Sequence, residues 1–332
     1  MKFIAIISLF VLQFSYGQWT SVQNGITVNL HCVQVLDSLN AYVGGDSGKV
    51  YKTMDGGTTW INVSPSSTSE WFSMSFVDVQ HGWVGGRNGS IARTTNGGSS
   101  WSVKGIVSQS GNNTIESMEF VNKDTGYVAG GGYFNPDRET YIYKTTDGGV
   151  NWVMQLSQIG GILLEMDMVN ASTGYVVGTN GGAFKTTNGG TNWDGVFVNS
   201  PYWLRAVAFT TEKNGVAMGL TGMAYRTTNG GTSWSSISTN TTGTIESVCF
   251  SDAMNGWAVG EAGFGMYTKD GGATWKSASL STSSLLWGVH FKGKSGLTVG
   301  DNGTIFKYDP SAVIISQNYW SPLQNGITVN LH

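Results

Sequence analysis

The stretch Lys52-Thr53-Met54-Asp55-Gly56-Gly57-Thr58-Thr59-Trp60 returns five times with little change. Its copies end at Trp101, Trp152, Trp193, Trp234 and Trp275, so successive tryptophans stand 41, 51, 41, 41 and 41 residues apart. A unit of that length is one supersecondary element that cannot bury its own faces, so it must stack on copies of itself. The stretch has the chemistry of a tight turn. Its Asp or Asn can accept backbone N–H bonds two residues on, and its paired glycines reach positive φ without a Cβ penalty.

Each unit carries four strand signals separated by Gly, Asn and Asp. In the second unit these predict strands over 72–77, 82–85, 90–94 and 101–103. Four short antiparallel strands in about 41 residues are the pattern of a propeller blade. A second marker, Gly-x-x-Gly between strands two and three, occurs at Gly45, Gly86, Gly178, Gly219, Gly260 and Gly300 and in expanded form from Gly131. The expected fold is therefore all-β, a seven-bladed β-propeller of four-stranded antiparallel blades. The seventh unit runs through Thr304 to Tyr308 but then offers Asp309-Pro310-Ser311 in place of the turn. Two segments compete for its last strand. Trp19 lies one period before Trp60, which places it beside Thr304 to Tyr308, and Trp320 to Leu323 offers the same kind of strand. Gln324 to His332 repeats Gln23 to His31 identically as QNGITVNLH, so the end reads as an alternative closing strand or the start of a second copy.

Charged residues make up 12% of the chain, against roughly 25% in ordinary globular domains, and the 48 glycines are about twice the usual share. Many turns and many buried short strands follow. A net charge of -3 with 18 Lys and Arg leaves no basic face for nucleic acid. Met1-Lys2, the apolar run Phe3 to Phe14 and Ser15-Tyr16-Gly17 read as a secretory signal peptide over 1–17, cut before Gln18, and the run is too short to span a bilayer. The expected organisation is then the propeller over 18–316 and the duplicated segment over 317–332, in a monomer that is secreted or periplasmic and has no stable membrane insertion. Cys32 and Cys249 fall in the first strands of distant units and read as small buried side chains. His31, His81, His290 and His332 are scattered and make no metal spacing, and no Gly-rich turn leads into a helix with a phosphate-binding Lys, so neither metal nor cofactor is expected.

From Thr53 through Trp275 the six turns are similar to the Asp-box, or bacterial neuraminidase repeat. Boxes of this kind occur in sialidases, xyloglucan-cleaving hydrolases, sortilin-like receptors and photosystem II assembly factors. Over nearly all of the chain the succession Gly-x-x-Gly, Ile or Phe, Lys/Arg-Thr-Thr-Asp/Asn-Gly-Gly and Trp resembles the photosystem II assembly and stability factor family. That resemblance implies a seven-bladed propeller that binds protein. The family's arginine-rich partner face has little counterpart here: outside the boxes only Arg87, Arg138 and Arg205 remain.

A hydrolase reading stands beside it. The chain lacks the Phe/Tyr-Arg-Ile-Pro motif of sialidases, and it holds one propeller where xyloglucan-cleaving enzymes set two carboxylates between two. Carboxylate pairs for glycoside chemistry would be Glu116 with Glu165, or Glu246 with Glu261. The favoured function is a secreted, non-catalytic binding module for a protein or polysaccharide.

In a four-strand meander the boxes share one rim, and the opposite rim carries the irregular features. The third unit holds ten extra residues there, around Gly132 to Glu139, and variable insertions on a rigid scaffold are where binding usually sits. The starts of the innermost strands add His31, Phe72, Glu116, Leu164, Arg205, Glu246 and Trp287, with Trp71, Tyr202 and Trp203 beside them. Aromatic faces with acidic groups suit sugars, and aromatics with a few arginines suit a protein anchor. The candidate ligand contacts are Trp71, Glu116, Tyr133, Phe134, Arg138, Trp203, Arg205, Glu246 and Trp287; plugging of the channel mouth is the alternative role for the rings of Trp71 and Trp287.

Overall fold

Short apolar runs set between Gly, Asn and Asp turns are too brief for helices, and each finds its hydrogen bonds in the next run along the chain. In the computed structural model, described for residues 18–106, 113–132 and 139–311, they form seven four-stranded antiparallel sheets. The second blade consists of Trp71–Phe76, Gly82–Gly86, Ser90–Thr94 and Ser102–Gly105, each within two residues of the predicted span. First strands contact one another around a closed ring, so they line a central channel and the fourth strands lie outside. The propeller expected from the repeat is what the chain forms.

The ring closes through the start of the described chain. Gln18–Ser21 pairs antiparallel with Ile305–Asp309, Trp19 lying opposite Tyr308, and supplies the outer strand of the seventh blade. Trp19 packs edge-on against Trp257, Phe291 and Tyr308, with ring centroids 5.4, 5.6 and 5.4 Å away. The competing segment Trp320 to Leu323 and the duplicated nonapeptide lie outside the described residues.

Apolar burial is concentrated between blades. Seven buried clusters sit one at each blade–blade interface, such as Cys32, Tyr42 and Val50 of the first blade against Trp71, Phe76 and Val84 of the second. An aromatic near the start of a second strand stacks on the end of the next blade's first strand: Tyr42 on Phe76 at 3.8 Å, Trp83 on Phe120 at 3.5 Å and Tyr175 on Phe209 at 3.6 Å. Each such pair adds about 0.5–1.5 kcal/mol to what area burial alone provides. The exposed ion pair of Arg87 and Glu70 contributes about 0–1 kcal/mol. Interfaces, then, and not surface charge, hold the ring.

The repeated turn proves to be a staple between blades. Thr53 Oγ1 accepts the Gly57 N–H at 2.8 Å, and Asp55 Oδ1 accepts the Thr59 N–H at 2.9 Å. The carboxylate thus reaches four residues on, not the expected two, because Gly56 and Gly57 both take positive φ and bend the loop back over it. The turn carbonyls are then used by the preceding blade. Trp83 Nε1 donates to Gly148 O at 2.9 Å, and Tyr127 Oη and Lys144 Nζ both donate to Gly189 O at 2.8 and 2.6 Å.

The Gly-x-x-Gly marker has a steric cause. A Cβ on Gly45 would stand 1.9 Å from Asn29 O, and Gly48 combines a φ of +71° with a 1.9 Å approach to Ser67 O. In the third blade, strands two and three (Gly126–Gly132 and Glu139–Thr145) are seven residues long where the second blade's are five, and Gly131 still pairs with Thr140. Part of the ten-residue excess is therefore strand, two residues in each of the pair.

Candidate functional site

Each innermost strand is interrupted at the same place. The ladder to the second strand slips between Leu30 and Cys32, Trp71 and Ser73, Ile115 and Ser117, Leu163 and Glu165, Leu204 and Ala206, Ile245 and Ser247, and Leu286 and Gly288. A bulge leaves one residue out of the ladder and re-aims its side chain. The seven omitted residues are His31, Phe72, Glu116, Leu164, Arg205, Glu246 and Trp287, and all seven line one central cavity of about 680 Å³. The ring expected from the repeat is thus assembled by seven equivalent bulges, at the channel end opposite the repeated turns.

At this mouth His31, Arg87 and Arg205 already have carboxylate partners. His31 Nε2 donates to Asp46 Oδ1 at 2.6 Å, and its ring lies between Phe72 and Trp287, 5.5 and 5.2 Å away. Arg205 is ion-paired with Glu246, and its guanidinium stands 5.9 Å from the Trp287 ring. Arg87 pairs with Glu70 and lies 5.6 Å from Phe72. Trp287 Nε1 donates to Asp301 Oδ1 at 2.8 Å. Asp46 and Asp301 belong to the Gly-x-x-Gly turns, which therefore brace the ring from outside.

Deeper in the channel runs a belt that sequence reasoning missed. The inner edge of every first strand has backbone N–H groups with no strand beyond it, and side chains of the preceding blade accept them. Gln34 Oε1 accepts from Phe76 N at 2.5 Å, Ser75 Oγ from Phe120 N at 2.9 Å, and Glu119 Oε2 from Met168 N at 2.6 Å. Asp167 accepts from Phe209 N, Cys249 Sγ from Phe291 N at 3.4 Å, and His290 Nδ1 from Val35 N at 3.2 Å. Only the fifth blade, with Ala208 at this position, offers no acceptor. The signal was present in the sequence: the third residue after the bulged one can accept a hydrogen bond in six of the seven units.

These groups touch the cavity but are surrounded by protein, so their charged forms lose hydration. Burial pushes Glu165 up to about 8, helped by the charge of Asp167, and raises Asp167 to about 7 against the Phe209 N–H bond. Glu119 is raised well above the carboxylate range by burial and by Asp167. Burial lowers His290 to about 4, with Lys292 adding to the effect, and raises Cys249 to about 11. Both cysteines are free thiols.

One candidate contact is corrected. Trp71 is 0% exposed and packs with Tyr42, Phe76 and Val84 between blades, because it precedes the bulge and points away from the channel. Phe72, one residue on, takes the place at the mouth. Trp203 is half-buried beside the rim and does not line the cavity. Tyr133, Phe134 and Arg138 lie outside the described residues. Of the two carboxylate pairs, Glu246 is engaged by Arg205, and Glu261 accepts the Thr244 N–H at 2.8 Å. Glu116 and Glu165 do share the channel, but between the third and fourth blades of a single propeller. Among the described residues no group of three His, Cys, Asp or Glu could hold a metal ion.

Fold and site together define a β-propeller that presents a ring of seven side chains, of six residue types, at one channel mouth. A family model described as photosynthesis system II assembly factor YCF48 matches residues 62–159 and 153–242, and the chain belongs to that family. No curated protein matches it. Among solved structures it is similar to one titled YCF48 bound to D1 peptide, with a TM-score of 0.73, 20% identity and coverage of 89% of this chain and 98% of that one. YCF48 from Cyanidioschyzon merolae gives 0.72, 19%, 89% and 100%. The GH74 xyloglucanase from Xanthomonas campestris gives 0.64 and 13%, over 87% of this chain and 53% of that one. At these identities the structural likenesses speak for the fold alone. Family membership points to a non-catalytic assembly or binding role, and the hydrolase reading is the weaker one.

Proposed function

We propose that this chain is a secreted, non-catalytic module that binds an extended segment of a partner protein across the channel mouth opposite the repeated turns. The observation that carries the reading is the set of seven bulges. They turn side chains of six types toward one opening, whereas the residue just before each bulge is a buried Leu, Ile or Trp in every blade. A propeller that needed these positions only for packing would fill them as it fills the neighbouring ones, with Leu, Ile or Val. Aromatic and arginine side chains at the centre of a concave surface are the residue types that carry most binding energy between proteins. The related YCF48 structure titled as bound to a D1 peptide lends support from the same family. Export is supported by the leader-like composition of residues 1–17.

An array of 15-residue peptides, probed with the wild-type protein and with Trp287→Ala, tests the reading. Binding to a subset of peptides that weakens about 30-fold in the variant, for a hot-spot loss of about 2 kcal/mol, supports it. Peptide binding indifferent to both Trp287→Ala and Phe72→Ala overturns the site. Turnover of xyloglucan or of a sialoside overturns the non-catalytic reading. Mass spectrometry of protein recovered from the culture medium should find Gln18 as the first residue.

A further inference from the structure

We propose that the channel just below the mouth receives the ammonium group of a lysine side chain, projected from the bound protein segment and held between the carboxylates of Glu116 and Glu165. The proposal rests on the reading of the mouth as a protein-binding site and specifies what enters it.

The charge balance of the channel points this way. At the mouth, Arg87 and Arg205 are ion-paired with Glu70 and Glu246, and His31 is hydrogen-bonded to Asp46. Among the described residues, the mouth therefore has no free cation for an acidic ligand. Inside, Glu119 and Asp167 are tied to backbone N–H groups of the next blade. Glu116 and Glu165 are not tied in this way. Glu116 Oε1 is buried with no hydrogen-bond partner, and both side chains line the cavity. A buried carboxylate oxygen without a donor is costly unless something supplies one. With no third metal-ligating group beside them among the described residues, the two suit an organic cation. The ring faces of Phe72 and Trp287 at the entrance suit the apolar stem of a lysine, whose compact ammonium offers three donors at the end of four carbons.

The same groups set a pH signature. Glu165 faces Asp167 on its own strand, Glu116 and Glu119 on the third blade, Arg205 on the fifth and Cys249 on the sixth. Burial raises Glu116, against a side-chain hydrogen bond with Thr114 and the influence of Arg205, Arg87 and His31 from the fifth, second and first blades. Burial and the surrounding carboxylates outweigh Arg205, so Glu165 stays protonated up to about 8 while the slot is empty. A lysine amine remains charged throughout that range. Its entry must therefore expel the carboxyl proton, and binding tightens as pH rises.

The probe is Nα-acetyl-lysine methylamide, titrated into the full chain by calorimetry, with the Nε-acetylated form as the neutral control. The amine should bind about tenfold more tightly at pH 8.5 than at pH 6, with proton release shown by buffers of different ionisation enthalpy, and the neutral control about tenfold more weakly than the amine. Glu165→Gln and Glu116→Gln should each weaken the amine about tenfold. Their melting temperatures should not fall, so if one variant does not fold, the other and the control carry the test. Equal binding of the neutral probe, binding flat in pH, or full binding by both variants overturns the slot. If the amine fails to bind while arrayed peptides still do, the slot falls and the mouth reading stands. If the amine binds and no peptide does, the mouth reading falls and the slot stands.

Discussion

His290 Nδ1 accepts the backbone N–H of Val35 at 3.2 Å, so an imidazole of the last blade joins the innermost strand of the first. An acceptor nitrogen carries no proton, which fixes the tautomer with hydrogen on Nε2 and requires the ring to be neutral. Burial first, and Lys292 second, lower its pKa to about 4. This bond is a second lock on the ring, inside the channel, beside the outer one made by Gln18–Ser21.

Acid should open this lock. The folded pKa lies below the ordinary value near 6.5, so the stabilisation is whole above that value and is lost as pH falls from about 6.5 through about 4. His290→Gln keeps an acceptor, as Gln34 does at the equivalent position, and removes the titration. His290→Ala leaves the Val35 N–H without its acceptor and should cost about 1–3 kcal/mol at neutral pH. The melting-temperature difference between the Gln variant and wild type, followed across pH 7 to 4, isolates the histidine from the turn carboxylates Asp55, Asp147 and Asp270. Those titrate at about 2. A difference constant in pH would show that His290 is not held neutral.

Glu165 and Asp167 act in the opposite direction. Their folded pKa values, about 8 and about 7, lie above the unfolded ones, so the folded protein holds extra protons across that window. The contribution is whole below the unfolded values and is lost as pH rises through the folded ones. Wild type should therefore lose melting temperature from pH 6 to 9. Glu165→Gln and Asp167→Asn should flatten the profile and be more stable than wild type at pH 9, the second because Asn can still accept the Phe209 N–H. A parallel decline in all three proteins would mean that the channel carboxylates are not the cause.

The belt has one gap that can be filled. Ala208 stands where Ser75 accepts a neighbour's N–H, leaving Phe250 N without a side-chain acceptor among the described residues. Ala208→Ser places a hydroxyl against the open cavity, where nothing need move to admit it. A net gain of about 0.5–1.5 kcal/mol is expected, readable as a rise of about 1–5 °C in melting temperature. An unchanged or lowered melting temperature would indicate that water in the channel already serves this N–H.

How far the sequence could be read depended on what repeats. The period, the strand spans of the second blade and the ring from His31 to Trp287 were legible because alignment of the units places chemically alike positions together, and departures then stand out. Trp71 was counted as a contact beside Phe72, although only Phe72 of the two faces the channel. Alternation along a strand decides which of Trp71 and Phe72 faces the channel, and a bulge interrupts that alternation between them. Its counterparts Leu30, Ile115, Leu163, Leu204, Ile245 and Leu286 are all apolar, which already marked a core position. The belt stayed hidden for the opposite reason. Gln34, Ser75, Glu119, Asp167, Cys249 and His290 share no side-chain class, only the capacity to accept a hydrogen bond from a strand edge that a sequence does not display.

Closure supplies the last prediction. The two ends of the ring meet without a covalent connection inside the seventh blade, where the four-residue strand Gln18–Ser21 pairs with Ile305–Asp309. Trp19 anchors it by three edge-on ring contacts, and Trp257 and Phe291 in that cluster belong to the sixth and seventh blades. Trp19→Ala should therefore cost about 3–5 kcal/mol, as expected for truncating a buried aromatic. The loss should appear as one cooperative transition, because an unsealed seventh blade exposes the interfaces on both sides. Removing residues 18–22 should do the same or more. The identical sequence of 324–332 provides the control, since it follows Trp320 to Leu323 as 23–31 follows Trp19 to Val22. If the truncated chain keeps its melting temperature and loses it only when residues 317–332 are also removed, the C-terminal segment can occupy the same slot. If Trp19→Ala alone has no effect in a chain ending at 316, the strand pairing between Trp19 and Tyr308 is not what closes the ring.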